Sequence, residues 1–162
     1  SENISYSKNI ALTGQNASGE IIIDGQGTNV GDAISVSSVD SVIISNVTIQ
    51  NGQEGLKLQN CERVKLTNIV FKDNNYSLNA ENSGYTIIDS TVFQNNQRGP
   101  YWTGSNSDSL LITNSTISKN TERGISVNET NAIINNTTFY GNARAIQFHS
   151  LTNDSLVLIN VL

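Results

Sequence analysis

The sequence predicts an all-β solenoid, a parallel β-helix of about six to seven coils of ~22 residues, each coil carrying three short strands. Three observations predict it. First, five segments align: "VIISNVTIQNG" from Val42, "VKLTNIVFKDN" from Val64, "TIIDSTVFQNN" from Thr86, "LLITNSTISKN" from Leu110 and "AIINNTTFYGN" from Ala132. A sixth, "LVLINVL", opens at Leu156. Second, the anchors Ile49, Phe71, Phe93, Ile117 and Phe139 follow one another at steps of 22, 22, 24 and 22 residues. Third, apolar residues alternate at period two inside each segment, as strands with one buried face require. The step is about half a propeller blade, and no stretch carries a 3.6-residue period.

The elements follow in chain order. Residues 1–40 depart from the later spacing: "NIALTG" and "EIIIDGQGTNVGDAISV" read as strands, with a turn at Asp24-Gly25-Gln26-Gly27. They form one or two irregular first coils, and residues 41–162 the regular ones, within a single domain. In each regular coil a first pair such as Val42/Ile44 or Val64/Leu66 points inward. A polar residue then breaks phase, as a corner must: Asn46, Asn68, Ser90, Asn114, Asn136 and Asn160 share one register. A second pair follows (Val47/Ile49, Ile69/Phe71), then a turn whose Asn74, Asn96, Asn120 and Asn142 are placed to form an amide ladder along the axis. The third strand contributes Ile34/Val36, Leu56/Leu58, Leu78/Ala80, Pro100/Trp102, Ile125/Val127 and Ile146/Phe148. The sole proline and sole tryptophan thus fall in core slots. Pro100 to Leu110 is ten residues where Leu78 to Thr86 is eight, so "TGSNSDS" is a lengthened turn, the kind of place where solenoids put binding sites.

Only 14% of the 162 residues are charged, the net charge is −5 and the pI about 4.7, a balance unsuited to nucleic acid. No apolar run reaches the ~18 residues of a membrane-spanning helix, so no membrane insertion is expected. Starting at Ser1 without a methionine, the chain reads as a mature product or a piece of a longer protein. Cys61 is the single cysteine and reads as a small buried apolar residue. Asn-x-Ser/Thr occurs at Asn3, Asn16, Asn46, Asn75, Asn114, Asn128, Asn135, Asn136 and Asn153. These are candidate glycosylation sites, and their density fits a secreted or cell-surface protein.

"FKDN", "FQNN" and "FYGN" are similar to the F-x-x-N element of bacterial polymorphic outer-membrane and adhesin repeats, and "VIISNVTIQNG" and "IIIDGQG" resemble NosD-type coils of cell-surface proteins. Across nearly the whole chain these residues resemble the right-handed parallel β-helix repeats of the pectin-lyase-like superfamily. The resemblance implies a right-handed solenoid. That superfamily holds lyases, glycosidases, tailspikes, adhesins and structural modules, so function rests on the site.

A lyase of this kind needs clustered acids for calcium with an Arg or Lys base, and a glycosidase needs carboxylates across one groove. Asp24, Asp32, Asp40, Asp73, Asp89, Asp108 and Asp154 are scattered along the sequence. "VGDAIS" resembles the G-D-D segment of polygalacturonases, but Asp32 stands alone and the H-G and R-I-K elements are missing. His149 is the one histidine and reads as a surface residue. The expectation is therefore no catalytic residue, no metal site and no cofactor. A different column stands out. "QRG", "ERG" and "ARA" place Arg98, Arg123 and Arg144 one above another, with Glu54 and Tyr76 in the matching earlier places. Tyr101, Lys57 and Gln147 flank them in an outward column. Such a stripe can hold carboxylated or sulfated glycans through paired hydrogen bonds and stacking, or can be an ordinary ion-paired surface using Glu54 or Glu122. "LVLINVL" stops mid-coil, which points to a longer β-helix or to end-to-end stacking of subunits. Three readings stand: a non-catalytic structural or adhesive module of a cell-surface or filament-forming protein, a glycan-binding module, and a carbohydrate-active enzyme.

Overall fold

Three left-handed residues per turn bend the chain into a triangular coil. The computed structural model describes residues 4–15, 20–104, 108–149 and 154–162. Positive φ recurs at Ser38, Asn60, Asn82 and Glu129, at Asn46, Asn68, Ser90, Asn114, Asn136 and Asn160, and at Asn51, Asp73, Asn95, Lys119 and Gly141. Asn and Asp enter this region more readily than most residues, which explains the asparagine-rich repeat. One such residue turns the backbone while the ladder bonds on both sides continue.

The first coil comprises β1 (Ile4–Tyr6), β2 (Ile10–Thr13) and β3 (Ile22–Asp24). All three stack on β4 (Ile34–Gln50), which runs through two corners, as does β5 (Glu54–Lys72). Two coils are therefore single bent strands and not three separate ones, because a one-residue corner does not interrupt pairing. Below them lie β6 (Tyr76–Glu81), β7 (Tyr85–Asp89) and β8 (Val92–Gln94), then β9 (Tyr101–Thr103), β10 (Ser109–Thr113) and β11 (Thr116–Ser118). Next come β12 (Ile125–Asn128) and β13 (Asn131–Tyr140), and finally β14 (Ile146–His149) and β15 (Leu156–Val161). Every pairing is parallel and joins strands one coil apart. Among the described residues there is no helix, and none long and apolar enough to cross a membrane.

The core is the stack of inward residues. Ile49, Phe71, Phe93 and Ile117 are fully buried in one column, with the Phe71 and Phe93 rings stacked at 5.0 Å. Trp102 is fully buried between Ala80 and Val127, so a small neighbour on one rung makes room for the indole. The asparagine ladder lies inside as well. Asn74, Asn96 and Asn120 each donate from Nδ2 to the Oδ1 one coil below, at 3.0, 3.1 and 2.9 Å, ending on Asn142. Each Oδ1 also accepts a backbone N–H from the coil above, and each Nδ2 reaches a strand carbonyl such as Phe71 O. The exposed corner ladder is shorter: Asn68 donates to Asn46 and Asn136 to Asn114, while Asn114 turns to Asp89 because Ser90 carries no amide.

Candidate functional site

The face formed by β6, β9, β12, β14 and the first parts of β4 and β5 carries the expected stripe. Register puts Asp32, Glu54, Tyr76, Arg98, Arg123 and Arg144 in one column. Lys57, Asn79, Tyr101, Ser126 and Gln147 form the next outward column, and Gln59, Glu81, Thr103, Asn128 and His149 a third. The R-G spelling of "QRG" and "ERG" has a local cause. A Cβ on Gly99 would lie 1.6 Å from the Gly124 carbonyl oxygen and one on Gly124 2.4 Å from that of Ala145, so the rungs beside Arg98 and Arg123 close only over glycine.

The three arginines share a column but not a state. The Arg98 Nε donates to Glu122 at 2.5 Å, its Nη1 to the Tyr76 hydroxyl, and its guanidinium lies 4.7 Å from the Tyr76 ring centre. The pairing holds the Glu122 carboxyl below its ordinary range and raises Arg98 further. Of the two partners considered for the stripe, Glu122 is the one used. Arg123 donates to Gln147 at 3.1 Å, and Arg144 is exposed with no carboxylate in ion-pair distance among the described residues. Tyr101 packs edge-on against Tyr76 at 6.2 Å and receives a bond from Asn128. A shallow cleft of about 310 Å³ lies between Glu122, Arg123, Ala143 and Arg144. The unpaired positive charge of the face thus gathers at Arg123 and Arg144. Lys57 belongs to the other end, 3.7 Å from Glu54.

That other end corrects the picture of scattered acids. Asp32 and Glu54 are 22 residues apart, which is one rung, and Glu81 follows in the third column. The signal was the same periodicity that revealed the arginines, and linear adjacency concealed it. Glu54 is buried, and its Oε1 accepts from Asn79 at 2.8 Å. Burial pushes its carboxyl up, with the Asp32 charge adding to the rise, and burial likewise raises Asp32. A raised folded value means that the stabilising contribution is present at low pH and is lost as pH rises through that value. Glu54→Gln keeps the bond from Asn79 and is expected to melt higher than wild type at neutral pH, the gain closing by about pH 4 in thermal scans. An equal difference at both pH values would count against this account.

His149 is exposed beside Gln147 at 2.6 Å. Of the sequon asparagines, Asn46, Asn114 and Asn136 are exposed at the corner, while Asn75, Asn128 and Asn135 are half-buried, each with an enclosed Oδ1. Asn3, Asn16 and Asn153 lie outside the described residues, as do residues 105–107 of the lengthened turn. Cys61 is buried, where desolvation raises its thiol.

Three-sided parallel coils, an internal amide ladder and one polar face with aligned side chains define a parallel β-helix module. The family described as "right handed beta helix region" matches residues 9–161, and the chain belongs to it. Among curated proteins no relative matches the sequence. A solved alginate lyase from Paenibacillus sp. str. FPU-7 is similar over 98% of this chain and 89% of its own, at 11% identity and a TM-score of 0.35.

Proposed function

We propose that this chain is a non-catalytic module of an extracellular surface structure that holds an acidic glycan against its polar face. The observation that supports this most is the register of Arg123 and Arg144 at one cleft, with Asn128 on the Arg123 rung donating to Tyr101 one rung above. Two guanidinium groups about one rung apart suit carboxylates or sulfates repeated along a chain, and tyrosine offers a stacking surface for a sugar ring. Three carboxylates of the face are engaged: Glu54 with Asn79 and Lys57, Glu81 with Gln59, and Glu122 with Arg98. Exposed sequon asparagines at the corner fit secretion.

The test is titration calorimetry with polyuronates and sulfated glycans at two salt concentrations. Arg123→Ala combined with Arg144→Ala is expected to weaken binding by roughly ten- to a hundredfold, with an unchanged melting temperature. Wild type that binds no acidic glycan sinks the reading.

Glu54 and Asp32 favour a second reading, a carbohydrate-active enzyme. A buried carboxyl that stays protonated above its usual range can serve as a general acid. Assays for new chain ends on polyuronides, with and without calcium, decide it: any turnover that Glu54→Gln abolishes would put this reading first.

A further inference from the structure

We propose that the face formed by β7, β10, β13 and β15, with the middle of β5, pairs with the same face of a second copy of this chain. On it, Ile87, Leu111, Ile133 and Val157 stand in one outward column on successive rungs. Ile133 and Val157 are 43% and 42% exposed, and Tyr85, beside them, 53%. The repeat spells three aliphatic residues in a row in "LLIT" and "AIIN", and two in "TIID", so an aliphatic residue faces solvent where a one-sided strand would place a polar one. Leu111, Ile133 and Val157, with Tyr85, line a groove of about 200 Å³. This face is distinct from the polar face, and the pairing stands or falls independently of glycan binding.

Charge pattern selects the partner. From β10 to β15 the flanking columns are uncharged: Ser109, Asn131 and Ser155 on one side, Thr113, Asn135 and Ile159 on the other. The charges sit at the upper end, on Arg63, Lys65 and Asp89. A twofold axis along the strand direction through β10 sets Leu111 on its own copy and Ile87 on Ile133. The same operation lays Arg63 on Ser155, Lys65 on Val157 and Asp89 on Asn135. No like charges meet, and the aliphatic stem of Lys65 covers Val157. The chain as a whole carries −5, so a self-complementary patch that is uncharged from β10 to β15 is a surface on which two copies approach with little repulsion. Five rungs at ~4.8 Å by five residues at ~3.3 Å make a footprint of roughly 400 Å² per copy, the size of a weak, reversible contact. Such a dimer leaves the two polar faces open.

Sedimentation equilibrium over a wide concentration range tests the pairing, together with oxidation of Leu111→Cys. Wild type is expected to show a reversible dimer. Ile133→Lys should weaken it at least tenfold without lowering the melting temperature, since Lys65 already occupies the same column two rungs above Leu111. Leu111→Cys should cross-link to itself, whereas Cys61 is buried and stays reduced. Wild type that remains monomeric at several hundred micromolar, or dimers that persist in Ile133→Lys, would overturn the proposal. So would binding of a neutral glycan or of phosphatidylcholine vesicles by a monomer, abolished by Ile133→Lys, because the patch then serves another occupant.

Discussion

Asn96→Ala is expected to lower stability by about 3–5 kcal/mol, read from urea unfolding, although it removes a small polar side chain. Asn96 is fully buried. Its Oδ1 receives both the backbone N–H and the Nδ2 of Asn74, each at 3.0 Å. Its Nδ2 reaches the Phe71 and Gln94 carbonyls and the Asn120 Oδ1. Truncation leaves the Asn74 N–H and two carbonyls without these partners in a place water does not reach, at about 1–3 kcal/mol for each orphaned group. Relaxation of the turn recovers part of that. Asn136→Gly is the counterpart in the exposed ladder: glycine keeps the left-handed φ of 48°, and water replaces the amide, so the change should stay within about 0.5 kcal/mol. Similar losses at both positions would mean that the amides matter through conformation and not through enclosure.

The same contrast explains what could be read from the chain before its structure. Residues aligned in the repeat are stacked, so the inner ladder and the core column, at steps of 22 or 24, and the Arg98, Arg123, Arg144 register, at steps of 25 and 21, all followed from aligning the coils. Counting does not say which side chain claims which neighbour. Arg98 could turn up its column or across to the next rung, and the choice of Glu122 depends on a short turn geometry that spacing does not encode. Asp32 differs: its place is hidden by distance along the chain, whereas the coil makes 22 residues equivalent to one rung and sets it above Glu54, whose place in the column the repeat does give. The aliphatic rib is hidden in the sequence because adjacent isoleucines in "TIID" and "AIIN" fit an alternating pattern on either phase, and the inward phase alone accounts for the core.

Trp102 is where a binding role and a core role make opposite predictions. Trp102→Ala is expected to cost about 3–5 kcal/mol, because the indole is fully buried and fills the space above Val127 that Ala80 leaves on its other side. Trp102→Phe should cost far less, about 1 kcal/mol. The smaller ring gives up some packing, but the indole Nε1 is enclosed without a hydrogen-bond acceptor, and its removal offsets the loss. Tyr101, on the same strand and pointing the other way, should behave in the reverse sense. Tyr101→Ala removes an edge contact with Tyr76 and the bond from Asn128, little of the core, and the surface on which a sugar would stack. Calorimetric glycan titration beside urea unfolding separates the two residues. Trp102→Phe should bind as wild type, and Tyr101→Ala should bind several-fold more weakly at nearly unchanged stability. If Trp102→Phe lost binding while remaining as stable as wild type, the indole would be a ligand contact, and the inward reading of that strand would be wrong.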